Sequence, residues 1–219
     1  MAIKFSMYNY TIFVAALSPL IISAYLLLNS FFQGNLRGMV FLLGSMISSI
    51  IGNLAKKGIN DKRGPFKKGD SYNPATDSPA HDFCDIFEPM NPELKYLGTP
   101  SSHAVFFGYL LTYLGLGTVY NESSKPGIPF WSLLASIGVV DLVFRFSKGC
   151  DRPKAIGIGL FLGMLCGGLW FLTVLYGMGF LSGGKLDGGT LVYNYKDDVH
   201  NPDKCVLGKT KYKCTYKKI

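Results

Sequence analysis

The residues able to do chemistry lie in three short polar clusters. They read KKGINDKRGP at 56–65, TPSSH at 99–103 and RFSKGCDRPK at 145–154. Each abuts the end of a long apolar run. Thr99 suits a helix cap and Pro100 a first helical turn, which would leave the amides around Ser101, Ser102 and His103 as donors at a positive helix end. Such an end attracts anions. Lys56, Arg63 and Arg145 would converge above it from neighbouring helix ends and neutralise a phosphate together with the charge that develops on it. His103, one of three histidines in the chain, would hand a proton to a leaving oxygen. Together these residues point to phosphate-ester chemistry.

The elements that must position these clusters are membrane helices. Of the 219 residues, 48% are hydrophobic and 16% charged. The apolar ones are gathered in blocks without a polar face, which argues against a water-soluble helical protein. A bilayer core about 30 Å thick needs roughly 20 apolar residues per helix. Stretches 11–32, 38–55, 104–120, 128–146 and 155–181 approach that length, so the expected fold is all-α, a bundle of about five transmembrane helices over 1–181. Lys4 ahead of the first run imitates a secretory signal, but the run is too long, and it reads as a retained span with a kink at Pro19. Five crossings set all three polar clusters on one side.

Two polar regions flank or interrupt the bundle. Loop 56–102 balances seven Lys/Arg against seven Asp/Glu and is rich in turn formers. Tail 182–219 carries eight lysines and four aspartates and contributes much of the net charge of +8. The tail fits anionic lipid headgroups, an acidic protein surface, nucleic acid, or simply a solvated end, with nucleic acid the least favoured partner. Both regions are candidate contacts for protein partners. Lysines and arginines gathered near the span ends make the cluster side cytoplasmic by the positive-inside tendency. Cys205 and Cys214 are spaced to close a disulfide or to stay reduced, while Cys84, Cys150 and Cys166 are too scattered for a zinc site. No metal or cofactor is implied.

In order and spacing the clusters resemble the type 2 phosphatidic acid phosphatase and haloperoxidase superfamily, helical proteins whose motifs read K-x6-R-P, P-S-G-H and S-R-x5-H-x3-D. Lys56 is followed after six residues by Arg63, with Gly64 inserted before Pro65. Pro100, Ser101, Ser102 and His103 match the second motif with Ser102 in place of glycine, and Arg145 matches the third with Phe144 in place of serine. The likeness covers roughly 40–170. It implies that Lys56, Arg63, Ser101, Ser102 and Arg145 hold a phosphate, that the substrate is a phospholipid or isoprenoid phosphate, and that His103 is the general acid. It also implies a nucleophilic histidine at 151 and its orienting aspartate at 155, where this chain has Asp151 and Ala155.

That departure divides the functional readings. An aspartyl nucleophile at Asp151 would need a metal to offset the added negative charge. His81 and His200 sit in polar segments and read as surface residues. The expectation is a degenerate, non-catalytic scaffold serving as a structural membrane component of a larger assembly, such as a virion whose lipid layer is tethered to a shell. The alternative is an active lipid-phosphate or isoprenoid-diphosphate phosphatase. A transporter or channel is weaker, because Asp141 and Arg145 are the only polar groups of that kind within the spans. Their spacing of four residues predicts an ion pair on one helix face.

Overall fold

A computed structural model describes residues 7–32, 35–59, 98–120, 128–147, 150–177, 192, 205–207 and 212–214. Five helices appear in order: α1 (Met7–Phe32), α2 (Arg37–Ile59), α3 (Ser102–Tyr120), α4 (Ile128–Ser147) and α5 (Pro153–Leu172), the last prolonged by a π-helical turn over Thr173–Gly177. Two short strands, β1 (Cys205–Leu207) and β2 (Tyr212–Cys214), pair antiparallel with Cys205 opposite Cys214. They are the one departure from an all-helical chain among the described residues.

Four helical stretches, Arg37–Ile59, Ser102–Tyr120, Phe130–Ser147 and Pro153–Gly177, are long and apolar enough to cross a membrane, and Ala16–Phe32 forms a shorter apolar helix. Half of the α3 span is buried inside the bundle, against 22–28% of the other three. So α3 is the central helix, and the others offer apolar side chains outward. Leu43, Leu54, Leu133, Val143 and Leu169 are each more than half exposed. A surface this apolar is a liability in water and an ordinary face in lipid, which fits a multi-pass membrane protein.

Small residues set the closest approach. Gly159, Gly163 and Gly167 recur every four residues and so share one face of α5. A Cβ built at Gly163 would lie 2.1 Å from the Val105 carbonyl oxygen, and one at Gly108 of α3 would lie 2.3 Å from that of Leu160. The two backbones therefore touch, in the manner of small-residue helix pairs in membranes. α2 is tied to this pair by side-chain donors: the Tyr109 hydroxyl donates to the Phe41 carbonyl at 2.9 Å and Trp170 Nε1 to the Val40 carbonyl at 3.1 Å. Around them Phe41, Tyr109, Tyr113 and Phe171 form an aromatic core, with the Tyr109 and Tyr113 rings stacked. Val192 is buried in the same cluster.

The α1–α2 turn closes on polar groups that a bilayer would otherwise strand. The Asn35 amide donates to the Ser30 carbonyl at 3.0 Å, and the Gly38 amide donates to Ser30 Oγ at 2.8 Å. Alternating helix directions then bring the end of α2, the start of α3, the end of α4 and the start of α5 to one end of the bundle.

Candidate functional site

At that shared end the helix termini carry an unusual density of buried charge. Lys56, Asp141, Arg145 and Asp151 are each no more than 4% exposed, and Ser101 is fully buried. Ionic groups persist in such a setting only when paired.

Ser101, rather than Thr99, is the residue that caps α3. Its carbonyl accepts from the Val105 amide at 3.0 Å, and its hydroxyl oxygen is 3.4 Å from the Ala104 amide. Its own amide donates to the Ala155 carbonyl at 3.0 Å, so it is not the free donor expected of this helix start. The Thr99–Pro100 peptide ahead of it is cis. Across the gap Gly159 of α5 lies against the Ser101 backbone, where a Cβ would come within 2.7 Å of the Ser101 oxygen. The Ser101 hydroxyl donates to Asp151 Oδ2 at 2.7 Å.

The same Asp151 oxygen accepts from Arg145 Nε in an ion pair with both side chains almost fully buried. Local backbone explains the pairing. After α4 ends at Ser147, the amides of Cys150 and Asp151 both return to the Arg145 carbonyl, at 2.9 and 3.3 Å. The chain folds back on the helix terminus and delivers the carboxylate to the guanidinium. Asp141 and Arg145 thus do not pair with each other, although their spacing on α4 allows it. Asp141 Oδ2 is instead hydrogen-bonded with His103 Nδ1 at 2.8 Å, across the α3–α4 interface. Its other oxygen is buried with no partner among the described residues.

Lys56 completes the cluster from α2, with Nζ 2.6 Å from Ser102 Oγ. Six of the seven anticipated phosphate-site and catalytic residues, Lys56, Ser101, Ser102, His103, Arg145 and Asp151, therefore meet around the start of α3. Arg63, loop residues 60–97 and most of tail 182–219 lie outside the described residues.

No family model, curated protein or solved structure matches the chain.

The arrangement has to be understood from its own geometry. The two described cations are buried, Arg145 against a carboxylate of the chain itself and Lys56 against the Ser102 hydroxyl. Asp151 takes a second donor from Ser101, while Ser102, which holds Lys56, is itself exposed. His103 is the intermediate case, with its side chain 16% exposed and one nitrogen committed to Asp141. Among the described residues no three His, Cys, Asp or Glu side chains gather as metal ligands. The role of Asp141 is what motif spacing missed. A lone carboxylate in an apolar helix was a signal that some polar group on a neighbouring helix must meet it.

Proposed function

We propose that this chain is a multi-pass membrane protein on a lipid-phosphate-phosphatase-like helical scaffold that does not turn over phosphate esters, and that it serves as a structural membrane component of a larger assembly. A virion in which a lipid layer is tethered to a shell fits this reading, with loop 56–102 and the lysine-rich tail as the contacts. The carrying observation is the Asp151 carboxylate, which takes the Arg145 guanidinium and the Ser101 hydroxyl for itself. A phosphate oxygen would have to displace a buried, doubly hydrogen-bonded anion to reach them. An active lipid-phosphate or isoprenoid-diphosphate phosphatase is the second reading, favoured by the oriented His103–Asp141 pair.

Phosphate release separates the two. Purified protein in detergent, given lipid phosphates and isoprenoid diphosphates, is expected to release no more phosphate than His103→Ala or Arg63→Ala. Repeated turnover abolished by either substitution would sink the scaffold reading.

Cys150, the neighbour of Asp151, is disulfide-bonded. Disulfides persist in oxidising compartments and are rare in reducing cytosol. In our reading the cluster end of the bundle therefore faces the oxidising side, the reverse of the orientation drawn from the lysines. In sealed vesicles of known sidedness, an impermeant reductant followed by an impermeant maleimide is expected to label Cys150 only from the non-cytosolic face. Labelling from the cytosolic face alone would restore the lysine-based orientation.

A further inference from the structure

The ring nitrogens of His103 are in different situations. Nδ1 lies 2.8 Å from the fully buried Asp141 carboxylate. With Asp141 as the carboxylate and the ring neutral, Nδ1 carries the shared proton and the lone pair is on Nε2. Nε2 makes no hydrogen bond to a described residue, and the side chain reaches the surface at the start of α3. The adjacent residue, Ser102, holds the ammonium of buried Lys56 at 2.6 Å. The result is an oriented imidazole with a free lone pair, next in sequence to the residue that fixes a cation, at the end of a bundle with a lipid-facing exterior.

We propose that His103 is a phosphoryl-acceptor site modified on Nε2, with Asp141 as its positioning residue. The scaffold reading assigns His103 no reaction, so the acceptor site goes beyond it. In the transfer the Nε2 lone pair forms the N–P bond while the bond from phosphorus to the leaving group breaks, and the leaving group departs with that electron pair. The ring gains positive charge, which the Asp141 carboxylate offsets through the Nδ1 proton. The Lys56 ammonium attracts the phosphoryl oxygens.

The donor class follows from proton balance. With His103 as the acceptor, it no longer protonates a departing alkoxide, and the described cluster offers no second imidazole. The donor is therefore one whose leaving group departs without that proton, a phosphoanhydride rather than an alkyl phosphate monoester. An amphiphilic diphosphate, its tail in the bilayer and its anhydride at the helix ends, meets both demands.

The full chain in detergent, treated with phosphoramidate as a small phosphoryl donor, tests this. Phosphoramidate carries its own leaving group, ammonia, and needs no acid from the protein. Mass spectrometry locates the phosphoryl group, and phosphorus–proton NMR tells Nε2 from Nδ1. Folded wild-type protein is expected to label His103 at Nε2 alone, and the detergent-unfolded chain at both nitrogens. Asp141→Asn is expected to slow labelling by at least about tenfold and to admit the Nδ1 product, because the tautomer is no longer held. Asp141→Glu should restore the preference for Nε2. An unlabelled His103 in folded wild type, or the same isomer mixture folded and unfolded, overturns the acceptor site without reliance on any variant. Unchanged rate and isomer in Asp141→Asn overturns the positioning role. Repeated phosphate release from lipid phosphate monoesters would overturn both the scaffold reading and the acceptor site, because His103 would then be protonating the departing alkoxide.

Discussion

Gly163→Val is expected to leave no monodisperse folded protein. The backbone at Gly163 faces Val105 and Tyr109 of α3 so closely that a Cβ would stand 2.1 Å from one carbonyl oxygen and 2.8 Å from an amide nitrogen. Both obstacles are main chain inside a hydrogen-bonded helix, so no rotamer change relieves them. The helices would have to separate, and separation strips contacts from the most extensive interface in the bundle. Overpacking of well-packed cores costs about 1–3 kcal/mol, and a collision with rigid backbone belongs at or beyond the top of that range. The damage would also reach the polar cluster, since the Ser101–Ala155 hydrogen bond spans the same interface. Gly157→Ala is the control, because a Cβ there meets nothing within 4 Å. That substitution should be neutral or stabilise the helix by up to about 1 kcal/mol. Size-exclusion profiles and thermal midpoints in one detergent measure both, and a wild-type profile for Gly163→Val would show that α3 and α5 do not meet this closely.

The helices themselves were legible because lipid is their solvent. A run with no polar face, such as TIFVAALSPLIISAYLLLNSFF, needs no pattern of burial to announce it, and α1 to α4 begin and end within a few residues of the apolar blocks. Residues 155–177 of the fifth block are helical, and 178–181 lie outside the described residues. The convergence of Lys56, Ser101, Ser102, His103 and Arg145 was also legible, since alternating crossings put their helix ends together. Partner choice among the charges was not. Arg145 has one carboxylate four residues before it and another six residues after it, and helical spacing favours the first. The choice rests on how α4 is rotated against α3 and on the backbone return at Cys150 and Asp151, neither of which periodicity encodes. The glycine spacing at 159, 163 and 167 was present in the sequence as a close-packing signal, but its target on α3 became identifiable only from the packed helices.

The second large effect concerns Arg145 and Asp151. Asp151→Leu deprives a guanidinium that is 2% exposed of the carboxylate beside it, and Arg145→Met does the reverse to a carboxylate that is 1% exposed. Breaking one side of a buried ion pair typically costs about 3–5 kcal/mol, whereas replacing both members with apolar groups of similar volume is often neutral. Each single substitution should therefore lower the unfolding midpoint steeply, and Arg145→Met/Asp151→Leu should recover most of the loss. Recovery will fall short by about 1 kcal/mol, because the Ser101 hydroxyl loses its acceptor. Denaturant or thermal unfolding of the three variants closes a double-mutant cycle, whose coupling term isolates the pair. Strong coupling means that the charges expected to grip a phosphate are spent on the fold, as the scaffold reading requires. Additive losses would mean that Arg145 is indifferent to Asp151, and the case that this carboxylate closes the site would fall with that result.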